Sequence, residues 1–173
     1  LIMRKFTLLF ILTFFVLISI TINAQELKFG HIGLDGLIQI MPERAKAEAE
    51  LNNFQKDLED VLSEMQGNYD TKLEELEQLG DDASEFKRNA KIAELQDIGQ
   101  RIQNYQATAQ QQIQQKFQEL LKPIYDKAMN AIDNVAKEQS LIYVFNTSTE
   151  LVLYKSSQSM DILPLVKQNL GIE

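Results

Sequence analysis

The stretch LEELEQLGDDASEFKRNAKIAELQ, residues 73–96, decides the fold of this chain, because one helix stops and another starts within it. Gly80 stands where a helix C-terminus takes a left-handed residue, and Asp82 followed by Glu85 has the spacing of a capping box. Upstream, Leu51, Phe54, Leu58, Val61 and Met65 alternate steps of three and four as a coiled-coil seam does, and Tyr69, Leu73 and Leu76 extend it through a stutter. Downstream, Leu95, Ile98, Ile102, Tyr105 and Ala109 keep the same rhythm, and Ile113, Phe117, Leu120 and Ile124 follow a second stutter. The pattern predicts an antiparallel hairpin of two long helices. A helix over 43–79 is roughly 55 Å long at about 1.5 Å per residue, much more than the width of a domain this size.

Three pieces near the ends read as strands: LKFGHI (27–32), LIYVFN (141–146) and LVLY (151–154), each rich in branched or aromatic residues. Thr147 to Glu150 give the last two a connection of hairpin length. After the first strand, GLDGLIQIM forms a short helix with Leu34, Leu37, Ile38 and Met41 on one side, and Pro42 with Glu43 opens the next helix. Pro123 lies inside the return helix or starts its last section with a kink. The glutamine-dense AQQQIQQKFQ (109–118) keeps seam residues and reads as solvated helix surface. Asp161 caps a final helix with Ile162, Leu165, Val166 and Leu170 on one face, ended by Gly171. The expected fold is mainly α with a small β body: a helical hairpin arm over 43–122 on a short-stranded sheet carried by 25–42 and 123–173.

Arg4 and Lys5 precede the apolar run FTLLFILTFFVLISITI, which ends at Ile22-Asn23-Ala24. Residues 1–24 therefore read as a secretory signal peptide started at Met3 and cut near Ala24, with an uncleaved anchor as the alternative, since the run approaches the spanning minimum of about 17 residues. With no Cys, neither a lipidated anchor nor a disulfide is expected. Beyond residue 24 there are 15 basic and 25 acidic residues, a net charge of −10, which disfavours nucleic acid as a partner. No phosphate-cradling glycine loop is present, and the single histidine, His31, reads as structural within a strand. Neither catalysis nor a cofactor is expected. The acidic turn lacks the ligand spacing of an EF-hand calcium loop and reads as solvated charge.

The two ends, KFGHIGLDGLIQIMPE (28–43) and LIYVFNTSTELVLYKSSQSMDILPLVKQNLGI (141–172), together with the hairpin between them, resemble the Skp/OmpH family of periplasmic chaperones. The resemblance implies a homotrimer in which strands of three chains build a body and three arms surround a cavity holding unfolded outer-membrane proteins. Elementary physics points the same way, because a few short strands bury little per chain and leave edges to be paired. Ile32, Ile142, Val144, Leu151 and Leu153 are the candidates for the trimer core. Leu62, Phe86 and Ile92, apolar residues off the seam, are candidates for client binding. If the turn is centred near residues 82 to 83, Gly67 and Gly99 fall at one height and form a hinge, or are simply tolerated on exposed faces. The alternative function is an envelope coiled-coil scaffold binding a folded partner. One departure stands out: familiar members are basic, whereas residues 57–85 here carry eleven acids against Lys72 alone, and residues 86–122 carry six basic residues and three acidic. Lipopolysaccharide binding by the arm tips is not carried over.

Overall fold

The computed structural model describes residues 27–80 and 83–172, so the signal-peptide reading of 1–24 and the caps proposed at Asp82 lie outside the described residues. Strand β1 (Phe29–Ile32) runs into helix α1 (Leu34–Ile40), then α2 (Pro42–Glu77) and α3 (Glu85–Glu138), followed by β2 (Tyr143–Asn146), β3 (Met160–Asp161) and α4 (Leu163–Leu170). The fold is mainly α with a small three-stranded sheet, as the sequence implies.

β1 is the central strand. It pairs in parallel with β2, Phe29 beside Tyr143 through Ile32 beside Asn146, and in parallel with β3, Gly30 beside Met160 and His31 beside Asp161. The two ends of the chain are also tied by side chains. Asn146 Oδ1 accepts the Leu34 amide at 3.2 Å, and Ser148 Oγ accepts the Asp35 amide at 3.0 Å, so donors at the start of α1 are satisfied from the far end of the sequence.

The third strand departs from expectation. LVLY (151–154) is not a strand: Leu151 is 87% exposed and Leu153 94%. A chain leaving a strand parallel to β1 must travel back before it can add another parallel strand. Residues 147–159 make that return, and β3 takes the second edge of β1 thirteen residues after β2 ends. The apolar run has β propensity but no strand to pair with in its own chain.

The hairpin turn is also built differently. α2 stops at Glu77, and Gly80 does not enter the left-handed region. Ser84 caps α3, its hydroxyl accepting the Lys87 amide at 3.4 Å. α3 passes through Pro123 as one 54-residue helix, roughly 80 Å long. Gly171 ends α4 in the left-handed conformation at φ 68°, and Asp161 accepts the Leu163 amide at 3.0 Å at its start.

From Leu58 the inward positions are Leu58, Leu62, Met65, Tyr69, Lys72 and Leu76 in α2, then Leu79 beyond its end, in a regular alternation of four and three; the repeated step of four falls earlier, from Phe54 to Leu58 to Leu62. Val61 and Leu73, the apolar residues that produced the apparent stutter, are exposed. On α3, Lys116 turns inward, while Phe117, partly exposed, lies at the edge of the helix pair against Arg44 of α2. Counting only apolar residues misplaces such a seam, because a lysine stem covers apolar surface while its ammonium reaches water or a carboxylate.

The main core is confined to the foot of the molecule. Ile32, Leu37, Ile38, Met41 and Ala47 pack with Ile124, Ala128, Ala131, Ile132, Val135, Ile162 and Val166, and among described arm residues beyond this cluster only Leu95 and Ile98 are buried. Leu37 has no exposed surface, so Leu37→Ala should cost about 2–5 kcal/mol in chemical denaturation. Leu73→Ala on the arm should stay within about 0.5 kcal/mol.

Candidate functional site

The arm is held by ion pairs that cross between its helices at one register. Lys91 Nζ lies 2.5 Å from Glu75 and Lys116 Nζ 2.6 Å from Glu50, and Lys72, paired within its own helix to Glu75 at 3.0 Å, also reaches across to Glu94 at 3.6 Å. Glu75–Lys91, Lys72–Glu94 and Glu50–Lys116 are each centred on residue 83, so the turn sits where the sequence places it. The hydrogen bond from Lys91, with a second from Lys72, holds the Glu75 carboxyl below the usual range, and the same contact raises the Lys91 ammonium. At the foot, Lys127 reaches Glu43 and lowers its pKa, while the other Glu43 oxygen is buried without a hydrogen-bond partner.

The acids not used in these pairs face water. Asp57, Glu59, Asp60, Glu64, Asp70, Glu74, Glu77 and Glu85 are all exposed. The outer arm thus presents a negative surface interrupted by Phe86, 83% exposed, and by Ile92 and Leu73. Among the described residues no group of metal-ligating side chains comes together, and no helix is long and apolar enough to cross a membrane.

The proposed client residues separate. Phe86 and Ile92 point outward, but Leu62 is half-buried and lines the cleft between the helices with Leu58, Tyr105 and Ile113. The step from Leu58 to Leu62 is four, not three, which spends Leu62 on the seam.

The trimer-core candidates separate in the same manner. Side chains alternate across a strand and match across a parallel pair. Gly30, Ile32, Val144 and Met160 therefore turn toward the helices, and Ile32, 2% exposed, is already covered by its own chain. Val144 packs against the same core. Ile142, Leu151 and Leu153 remain exposed. The opposite face carries residues that the strand-period reading did not single out. Phe29, Tyr143 and Phe145 stand side by side with ring centroids 6.1–6.4 Å apart, all partly exposed. Their odd numbering in two aligned strands was visible in the sequence, but the parallel register that unites them was not.

On that same face His31 is buried between Ser159 and Lys155. Its Nδ1 lies 2.9 Å from Ser159 Oγ and its Nε2 2.8 Å from Lys155 Nζ. A serine beside a histidine suggests a nucleophile and its base, but activation needs an acceptor behind the ring to stabilise the imidazolium. Here an ammonium stands in that place, which opposes the proton transfer.

A family model described as outer membrane protein (OmpH-like) matches residues 28–170. No curated protein matches the chain.

A methyl group at Gly67 would meet nothing within 4 Å, and at Gly99 only the Tyr69 ring at 3.9 Å. Both positions therefore accept alanine without repacking. The Gly67→Ala/Gly99→Ala variant should gain about 1 kcal/mol per site from helix propensity, read as a raised melting temperature.

Proposed function

Because the chain belongs to the OmpH-like family, we propose that it is an ATP-independent periplasmic holdase, exported by its first 24 residues, that shields unfolded outer-membrane proteins between helical arms. Chaperoning of outer-membrane proteins in the periplasm is what the family is known for. The observation that carries the reading is the division of the molecule. A core stops at Ala47 and Ile124, and a long arm with two buried residues continues beyond it. Such an arm offers surface rather than a pocket, and a holdase without an energy source works by reversible surface contact alone.

The active form in this reading is a homotrimer. Its contacts are the exposed Ile142, Leu151 and Leu153 together with the Phe29, Tyr143 and Phe145 face, while Ile32 and Val144 support that face from behind. Phe86 and Ile92 contact clients, and the acidic outer arm favours client segments that are basic. Gly67 and Gly99, with no seam stutter beside them, provide the bending point for clients of different size. Spin labels near Ser84 test the hinge through a narrower tip-to-tip distance distribution in the double alanine variant.

The mature chain should sediment at three times its own mass. Phe145→Glu, which places its charge on an already exposed face, should give a folded monomer, and a wild-type chain that is itself a stable monomer would remove the cavity. Val144→Asp disrupts the chain's own core, so it cannot separate assembly from folding.

The purified trimer should keep a denatured outer-membrane barrel protein from aggregating at one trimer per client. Capture of basic clients should weaken as salt shortens the screening length to about 10 Å at 0.1 M. A trimer that leaves aggregation unchanged would favour the scaffold reading.

A further inference from the structure

We propose that His31, Lys155 and Ser159 form a proton-operated latch, which holds the 147–159 segment against the sheet while the imidazole is neutral and releases its Lys155 end when the imidazole becomes charged. The inference does not depend on the holdase reading.

His31 sits on the central strand, 6% exposed, and both of its ring nitrogens are engaged by one segment of chain 124 and 128 residues away. The geometry dictates the protonation pattern. A lysine ammonium has three donors and no acceptor, so the 2.8 Å contact requires a lone pair on Nε2. The one ring proton is then on Nδ1, where it is donated to Ser159 Oγ at 2.9 Å.

These contacts have little help. The start of the segment is tied down by the Thr147 amide on Ile32 O and by Ser148 Oγ on the Asp35 amide, and its end by β3. Between those anchors, among the described residues, the only hydrogen bonds from the segment to the body are the two made by His31; the Gln158 and Ser159 amides bond locally to Ser156. The freely exposed Leu151, Leu153 and Tyr154 lie on the span held at Lys155.

A second proton on the ring removes the Nε2 lone pair and sets N–H against an ammonium at contact distance. Lys155 must then withdraw, whereas Ser159 still accepts from Nδ1–H, so the latch opens from its Lys155 end. The other groups beside the ring do not replace the bond. Phe145, level with His31 on β2, brings no charge. Asp161, level with it on β3, brings a carboxylate whose Oδ1 is engaged by the Leu163 amide. Once Lys155 has withdrawn, Nε2–H is left without that partner, and the Asp161 carboxylate favours the charged ring, so it assists opening rather than opposing it. The sign of the linkage follows. The closed state binds one proton fewer than the open state, so closure is complete while the ring is neutral and is lost as pH falls through the ring's titration.

His31 is the only histidine, so its ring signals in NMR report this titration without ambiguity. The decisive measurement is the backbone order of residues 149–158, read by 15N relaxation in the full mature chain at pH 7.5 and 5.5. Order parameters of about 0.85 at pH 7.5 should fall below about 0.6 in acid. His31→Gln can accept from Lys155 and donate to Ser159 but cannot charge, and it should stay ordered at both pH values. Lys155→Met, at an exposed position, should be equally mobile at both. Wild-type order that does not change with pH would overturn the latch. So would acid-dependent loss that persists in Lys155→Met, a result that stands even if His31→Gln fails to fold.

Discussion

The parallel ladder between Phe29–Ile32 and Tyr143–Asn146 is the constraint on which the rest of the molecule depends. It joins segments more than a hundred residues apart, and closing a flexible loop of that length costs entropy that a four-residue ladder repays poorly. The helices remove most of that cost. α2 and α3 are antiparallel and held in register by ion pairs, so the outgoing and returning chain arrive at the foot side by side. With the ends already close, α1 and the last turns of α3 cover the inner face of the sheet, and Asn146 and Ser148 cap α1.

Charge is distributed to suit this plan. Lys72 and Lys116 take seam positions that in a simple zipper would be leucine, and Lys91 flanks the seam; their ammonium groups meet carboxylates on the facing helix. These partly exposed pairs add little stability individually. Their effect is on alignment, since a slip of about one turn in one direction would set Lys72 against Lys91, and in the other Glu75 against Glu94 and Glu50 against Glu119. The surplus acids need no partner within the arm and remain on its outer surface.

How much of this was legible in the sequence depends on the kind of signal. The two helices, their turn near Ala83, Pro42 at a helix start, Gly171 at a helix end and the strands around His31 and Val144 follow from local chemistry, and local chemistry is written in the order of residues. The seam was misread at Val61 and Leu73 because apolar type is not the same as inward direction: Lys72 faces in and Leu73 faces out. The LVLY segment was misread because strand formation requires a partner, and partner availability is a property of the topology. β3, two residues long, has no signal of its own and exists because β1 has a second edge to fill. The Phe29, Tyr143 and Phe145 face depended on a register that no single segment contains. The Lys155 contact with His31 crosses 124 residues and had no local trace.

The position of β1 also sets an order of events in folding. Its partners are the last strands to be synthesised, so a growing chain presents β1 long before β2 exists. Helix pairing within the arm is local and fast, whereas contacts of large sequence separation form slowly. The arm is therefore the template and the sheet the final step, and until Tyr143–Asn146 emerges, both edges of Phe29–Ile32 are open to any extended polypeptide nearby.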